Sequence, residues 1–260
     1  MLFLYQSIFM NNSEYYTYLL RLADDSLIFG QRLSEWCGHG PILEEDIALS
    51  NIALDYIGQA TNLYKRISEL DAMGRDEDSI ALTRSEAEYT NLLMLELPNG
   101  DYAATIARLY FFSSYYLLYL EQLKMSADAF LAGFAEKSIK EVKYHVQHST
   151  DWMLRLGDGT PESHMRMQHA VNDLWPYLGE SFKDDTLDIS ASSESWGVEL
   201  ALLRVPWLDR VQSLMVEANL IVPVESWHHT GGRQGRHTEH MGFLLAEMQY
   251  LQRAFPGAKW

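Results

Sequence analysis

The chain is 260 residues long, 47% hydrophobic and 12% aromatic, and carries a formal net charge of −16. It holds enough apolar material for a large core, as one domain or two close-packed halves, while its acidity argues against nucleic acid and anionic membrane surfaces as partners. Its single cysteine, Cys37, excludes an internal disulfide framework and a Cys-rich zinc site, and fits a reducing, cytoplasmic setting.

Residues 1–10, MLFLYQSIFM, are apolar but lack a basic n-region and a small-residue cleavage site, so they do not read as a signal peptide. They belong to an N-terminal extension, residues 1–13, in which Met10 offers an alternative start. From there helical periodicity dominates and strand signals are nearly absent, so the expected fold class is all-α. The first helix is expected over Glu14–Trp36, stopped by Gly38-His39-Gly40-Pro41, and the second over Leu43–Leu70. A polar linker, Asp71–Ser85, leads to a short helix, Glu86–Glu96, ended by Pro98-Asn99-Gly100. Tyr102–Met125 forms the third long helix. Its greasy run, Leu109–Leu120, is too short to span a bilayer. Tyr110, Phe111, Tyr115 and Tyr119 read as core, with a subunit interface as the alternative. The fourth long helix runs from Ala127 to Leu156. Thr160-Pro161-Glu162 opens a fifth with an N-cap, an N1 proline and a first-turn acid, reaching about Ser181. Lys183–Ser195 reads as an acidic, serine-rich loop. Two further helices follow: Gly197–Leu220, interrupted or kinked near Pro206, and His237–Phe255 beyond the Gly-rich loop Thr230–Arg236.

Residues 14–260 thus read as one helical domain, a bundle core over about 14–157 with additional helices over about 160–260. The second helix is apolar well over half-way round, which makes it central. Its remaining strip of Asn51, Asp55, Gln59 and Asn62 suits another helix or a polar interior.

The chemistry candidates cluster on the fourth helix, where Glu141, His145 and His148 share an arc with Phe130, Phe134 and Trp152. An acid and two imidazoles on an apolar edge need partners. Either a metal sits among them or other helices supply hydrogen bonds and counter-charges. A four-helix di-metal bundle needs a carboxylate from each of two helices and Glu-x-x-His from each of the others. Here Asp25, on the face of Tyr18, Leu22, Phe29, Leu33 and Trp36, is a buried acid, and Asp55 and Glu141 are further carboxylate positions. Gly58 follows Asp55 by three and Tyr144 follows Glu141 by three, where histidine is required. The third helix offers no acid near Ala107 and Arg108. The plain reading is a set of acids balanced by residues such as Arg108 and by the histidines. The alternative is an autonomous di-metal oxidase that uses Glu141, His145 and His148 in another register.

A second cluster gathers His228, His229, His237 and His240. His237 and His240, three apart, could chelate zinc, but nothing completes a tetrad. The other reading makes Thr238 and Glu239 a helix N-terminus while Arg233 and Arg236 pair with acids. Cys37 with His39 reads as a plain thiol beside a turn, and no G-x-S-x-G, Walker or G-x-G-x-x-G motif is present.

Four stretches carry a family resemblance: Leu20–Cys37, Ile47–Ala60, Lys140–Gly159 and Gly231–Trp260. Through them the chain resembles the C-subunit family of the ring 1,2-phenylacetyl-CoA epoxidases, multicomponent oxygenases of aerobic phenylacetate degradation. The resemblance implies a ferritin-like fold and a structural, non-catalytic role. No cofactor is then expected in this chain, and the di-iron centre and acyl-CoA site belong to a partner A subunit. A B subunit and a reductase would complete the complex. It also implies that Asp25, Asp55, Gly58, Glu141 and Tyr144 are remnants of a metal frame.

Overall fold

A computed structural model describes residues 12–224 and 227–258. The expectations for the N-terminal extension lie outside these residues, apart from its last two positions. Among the described residues the secondary structure is entirely helical, and no helix is long and apolar enough to cross a membrane. Two long hairpins dominate. In the first, α1 (Asn12–Ser34) packs along α2 (Leu43–Leu70), and in the second, α5 (Tyr102–Leu123) packs along α6 (Ala129–Gly157). Asp128 starts α6 by accepting from Leu131 N at 2.8 Å, the N-cap satisfaction of an orphan backbone donor. The hairpins meet through aromatic side chains of α1, α2 and α5. Phe29 lies 5.2 Å from Phe112 and 5.1 Å from Tyr56 between ring centres, and Tyr18 and Tyr119 share a hydroxyl hydrogen bond. Tyr110, Phe111, Tyr115 and Tyr119 are all buried within the chain, so the aromatic stripe is core.

The connection from α2 to α5 departs from the expected linker and short helix. A one-and-a-half-turn helix, α3 (Glu77–Leu82), occupies the linker, and Glu86–Glu96 divides into a 3₁₀ turn, Glu86–Glu88, an extended stretch and the single turn α4 (Leu93–Glu96). The reason is tertiary. Thr90 N and Leu92 N are both drawn into hydrogen bonds at 2.8 Å with Asp24 and Asp25 of α1, which a continuous helix would spend on itself. Arg84 holds the same corner, ion-paired to fully buried Asp24 while its guanidinium lies over the Tyr89 ring.

After α7 (Pro161–Leu178), the expected loop Lys183–Ser195 contains a helix, α8 (Thr186–Ser193), opened by a capping box at Asp185 and Asp188. Both acids also ion-pair with Arg21 of α1. The next helix starts late. A 3₁₀ turn, Leu200–Leu203, leads into α9 (Arg204–Glu217), which puts Pro206 at the third helical position. The change from 3₁₀ turn to α-helix two residues before Pro206 is the expected interruption, and in the first turn of α9 the ring lacks only an N–H that has no intrahelical acceptor. The last expected helix is split into α10 (Glu239–Met248) and α11 (Tyr250–Ala254).

Candidate functional site

The chemistry-bearing residues of α2 and α6 lie along the seam between those helices. His145, fully buried, places Nε2 2.9 Å from Asp55 Oδ2 and its ring 4.8 Å from that of Tyr56, and its Nδ1 has no hydrogen-bond partner. One turn along, Gln59 Nε2 donates to Glu141 Oε2 at 2.9 Å. His148 Nε2 lies 3.3 Å from Glu45 Oε2, which also accepts from the Tyr102 hydroxyl at 2.6 Å. Burial lowers the His148 pKa despite that carboxylate, which favours the neutral ring. Asp55, Gly58, Gln59 and Glu141 line a groove of about 220 Å³. Gly58 is exposed, with open space where a side chain would stand, and Tyr144 is 51% exposed. The two positions three residues after Asp55 and Glu141 therefore face outward.

Asp25 is not part of this seam. Its carboxylate accepts from Leu92 N at 2.8 Å and from both terminal nitrogens of Arg233, at 3.1 and 2.8 Å. Burial pushes its pKa up to about 6, against the pull of Arg233. Arg108 does not balance the acids as expected. It is buried and donates to the carbonyls of Leu97 and Pro98 and to Asn99 Oδ1, and burial beside Arg32 brings its pKa down to about 9.

Where the two hairpins face each other, rings occupy the space. Phe29 of α1, Tyr56 of α2, Phe112 and Tyr116 of α5 and His145 of α6 stand 4.8 to 6.4 Å apart along successive contacts, and the Tyr56 hydroxyl bonds Ser113 Oγ at 3.0 Å. A metal pair needs several anionic donors converging on one point. Here Asp25 turns towards Arg233, while Asp55 and Glu141 each meet a separate neighbour on the seam. Among the described residues no three His, Cys, Asp or Glu side chains could hold one ion. This donor arrangement does not fit a di-metal centre.

The model of the family described as phenylacetic acid catabolic protein matches residues 6–260. The chain belongs to this family. It is 48% identical over 243 residues to the C subunit of 1,2-phenylacetyl-CoA epoxidase from Escherichia coli (strain K12), covering 94% of this chain and 98% of that protein.

In this member of the phenylacetic acid catabolic protein family, the Gly-rich loop is a fastening. Glu180, 5% exposed, accepts from Gly231 N at 2.8 Å and Gly232 N at 2.9 Å through one oxygen, and from Leu93 N at 2.9 Å through the other. A Cβ on Gly232 would lie 2.1 Å from the Asn91 carbonyl oxygen, and one on Gly235 2.2 Å from that of Ala87, so only glycine lets the loop seat. Arg233 then reaches Asp25 and the Thr90 carbonyl, whereas Arg236, expected to pair with an acid, stays at the surface. His237 places Nδ1 2.7 Å from Glu96 Oε2 and Nε2 3.0 Å from the Tyr89 carbonyl, so both ring nitrogens are engaged. His240 is half-buried on α10, and Thr238 caps that helix as expected. Glu180 escaped the sequence reading. Its only signal was an acid set within the apolar run Leu174–Phe182.

Proposed function

We propose that this chain is the structural, non-catalytic C-type subunit of a multicomponent di-iron monooxygenase that epoxidises the ring of phenylacetyl-CoA in phenylacetate catabolism. The observation that carries the reading is the 48% identity to the C subunit of a 1,2-phenylacetyl-CoA epoxidase across almost the full length of both chains. The two facing hairpins support a ferritin-like fold for the core. The diverging acids and the aromatic layer support a role without iron, in which the chain stabilises a catalytic A subunit that carries the di-iron centre. A B subunit and a reductase complete the assembly, in the cytoplasm.

Nothing in the seam favours an oxidase built on Glu141, His145 and His148. Glu141 is engaged by Gln59, and His145 by Asp55. The test is reconstitution. With the A subunit, B subunit and reductase present, epoxide should form only when this chain is included, and the A subunit should lose solubility or activity without it. Epoxide formed by this chain and reductase alone would overturn the reading, as would an A subunit equally soluble and active without it.

A further inference from the structure

Between Tyr102 and Leu120 the only charged residue is Arg108. It is 1% exposed, and its terminal nitrogens meet neutral acceptors, the carbonyls of Leu97 and Pro98 and Asn99 Oδ1. Its Nε has no hydrogen-bond partner, and among the described residues it takes part in no ion pair. Glu35, whose charge reaches it, is held by Arg32 at 2.8 Å and by Asn99 Nδ2 at 3.0 Å. A buried cation without a counter-charge is costly, and burial of this kind is what lowers the Arg108 pKa.

Arg108 lines a pocket of about 520 Å³ bounded by the turn at residues 97–101, the start of α5 and the middle of α7. That volume lies in the range of small-molecule sites. Leu97, Pro98, Ala104, Met165, Leu174 and Tyr177 give the pocket apolar walls. Its other charges already have partners. Arg166 meets Asp101 at 3.3 Å and Glu162 at 2.6 Å, and His169 meets Asp173 at 2.7 Å. Asp101 is further committed as the cap of α5, accepting from Ala104 N at 3.0 Å. What the pocket leaves unanswered is one buried positive charge behind apolar walls.

We propose that this pocket binds a small organic carboxylate with an apolar body, its charge set against Arg108 and its body among the apolar walls. An opposite charge within about 4–6 Å stabilises the guanidinium, so the carboxylate need not displace the carbonyls of the turn. A bare inorganic anion would leave the walls wet, and a neutral apolar molecule would leave the charge unanswered. The site belongs to this chain's own helices, so the inference does not rest on the function proposed above.

The test is calorimetric titration of the full chain with octanoate and 4-phenylbutyrate, and with 1-octanol and inorganic phosphate as controls. At least one carboxylate should bind saturably, one per chain, and the tighter of the two tells whether the pocket takes a straight-chain or an aryl body. The alcohol should bind about tenfold or more weakly than octanoate, because it lacks the charge-assisted contact, and phosphate should not bind. Arg108→Met should weaken octanoate about tenfold or more and leave octanol unchanged. Ala104→Leu, which enlarges a wall residue, should weaken both, and Lys137→Gln, in the α2–α6 groove, neither. Arg108→Met also removes the bonds to the turn; if it fails to fold, the comparison of octanoate with octanol and the Ala104→Leu variant still decide. No saturable binding of either carboxylate at millimolar concentration would overturn the proposal. Equal binding of octanol and octanoate would overturn the carboxylate, phosphate binding as tight as octanoate the apolar body, and wild-type binding by Ala104→Leu the pocket.

Discussion

Replacing Glu180 with glutamine changes one oxygen for an amide nitrogen in a buried site with almost no change of shape. The carboxylate accepts from three backbone N–H groups, those of Leu93, Gly231 and Gly232. Glutamine retains one acceptor. If its oxygen stays with the two glycines, its NH₂ group faces the Leu93 N–H and cannot accept from it. One charge-assisted bond is lost and a buried donor is left unpaired, a cost of about 2–3 kcal/mol. For a domain of this size that corresponds to a fall in melting temperature of roughly 4–6 °C. Glu180→Ala loses all three bonds and leaves a void, so its cost is about 4 kcal/mol or more. Circular dichroism reads the global loss, and limited proteolysis reads local release of the loop at residues 227–236. A Glu180→Gln protein with unchanged melting temperature and unchanged cleavage in that loop would refute the fastening role of Glu180.

The glycines give a paired test. Gly232→Ala drives a methyl into the Asn91 carbonyl and should lower stability by about 2–4 kcal/mol in urea denaturation. Gly58→Ala, with open space around it, should raise stability by about 0.5–1 kcal/mol. The reverse order would contradict both placements. His237 supplies a pH signature. Burial opposes its charged form, but Glu96 and the Tyr89 carbonyl outweigh that and raise its pKa above 6.5. A raised folded-state pKa gives stability that is fully present below 6.5 and is lost as pH rises through the raised value. The melting-temperature gap between wild type and His237→Gln should therefore shrink on going from about pH 6 to about pH 9. A gap that stayed constant or widened would count against a protonated His237–Glu96 pair.

Much of the fold was legible because the long helices depend on local signals. Leu43–Leu70 was bounded by Pro41 before it and a polar linker after it, and the structure places α2 at those residues. What failed was decided by distant partners. Glu86–Glu96 looks helical until Asp24 and Asp25, more than 60 residues away, claim the N–H groups of Thr90 and Leu92. The helix in Lys183–Ser195 depends on a capping box inside a segment whose composition resembles a loop. At the site, Asp25 was legible as a buried acid from its apolar neighbours. Its counter-ion, Arg233, lies 208 residues away and no periodicity points to it. Spacing placed Gly58 and Tyr144 at would-be ligand positions, but it could not reveal that both face solvent. Leu54 belongs to the apolar girth that makes α2 read as central, yet it is 63% exposed, because apolar character alone does not separate a buried face from a solvent-facing one.

We propose that the acids and histidines of this chain do not assemble a di-iron centre. The most direct measurement is the iron content of the full chain, expressed in iron-replete medium and purified alone, set beside its complex with the catalytic partner. Far less than one iron per chain is expected for the protein alone, and iron in the complex in proportion to the catalytic partner only. Two tightly held irons per chain in the isolated protein would contradict it.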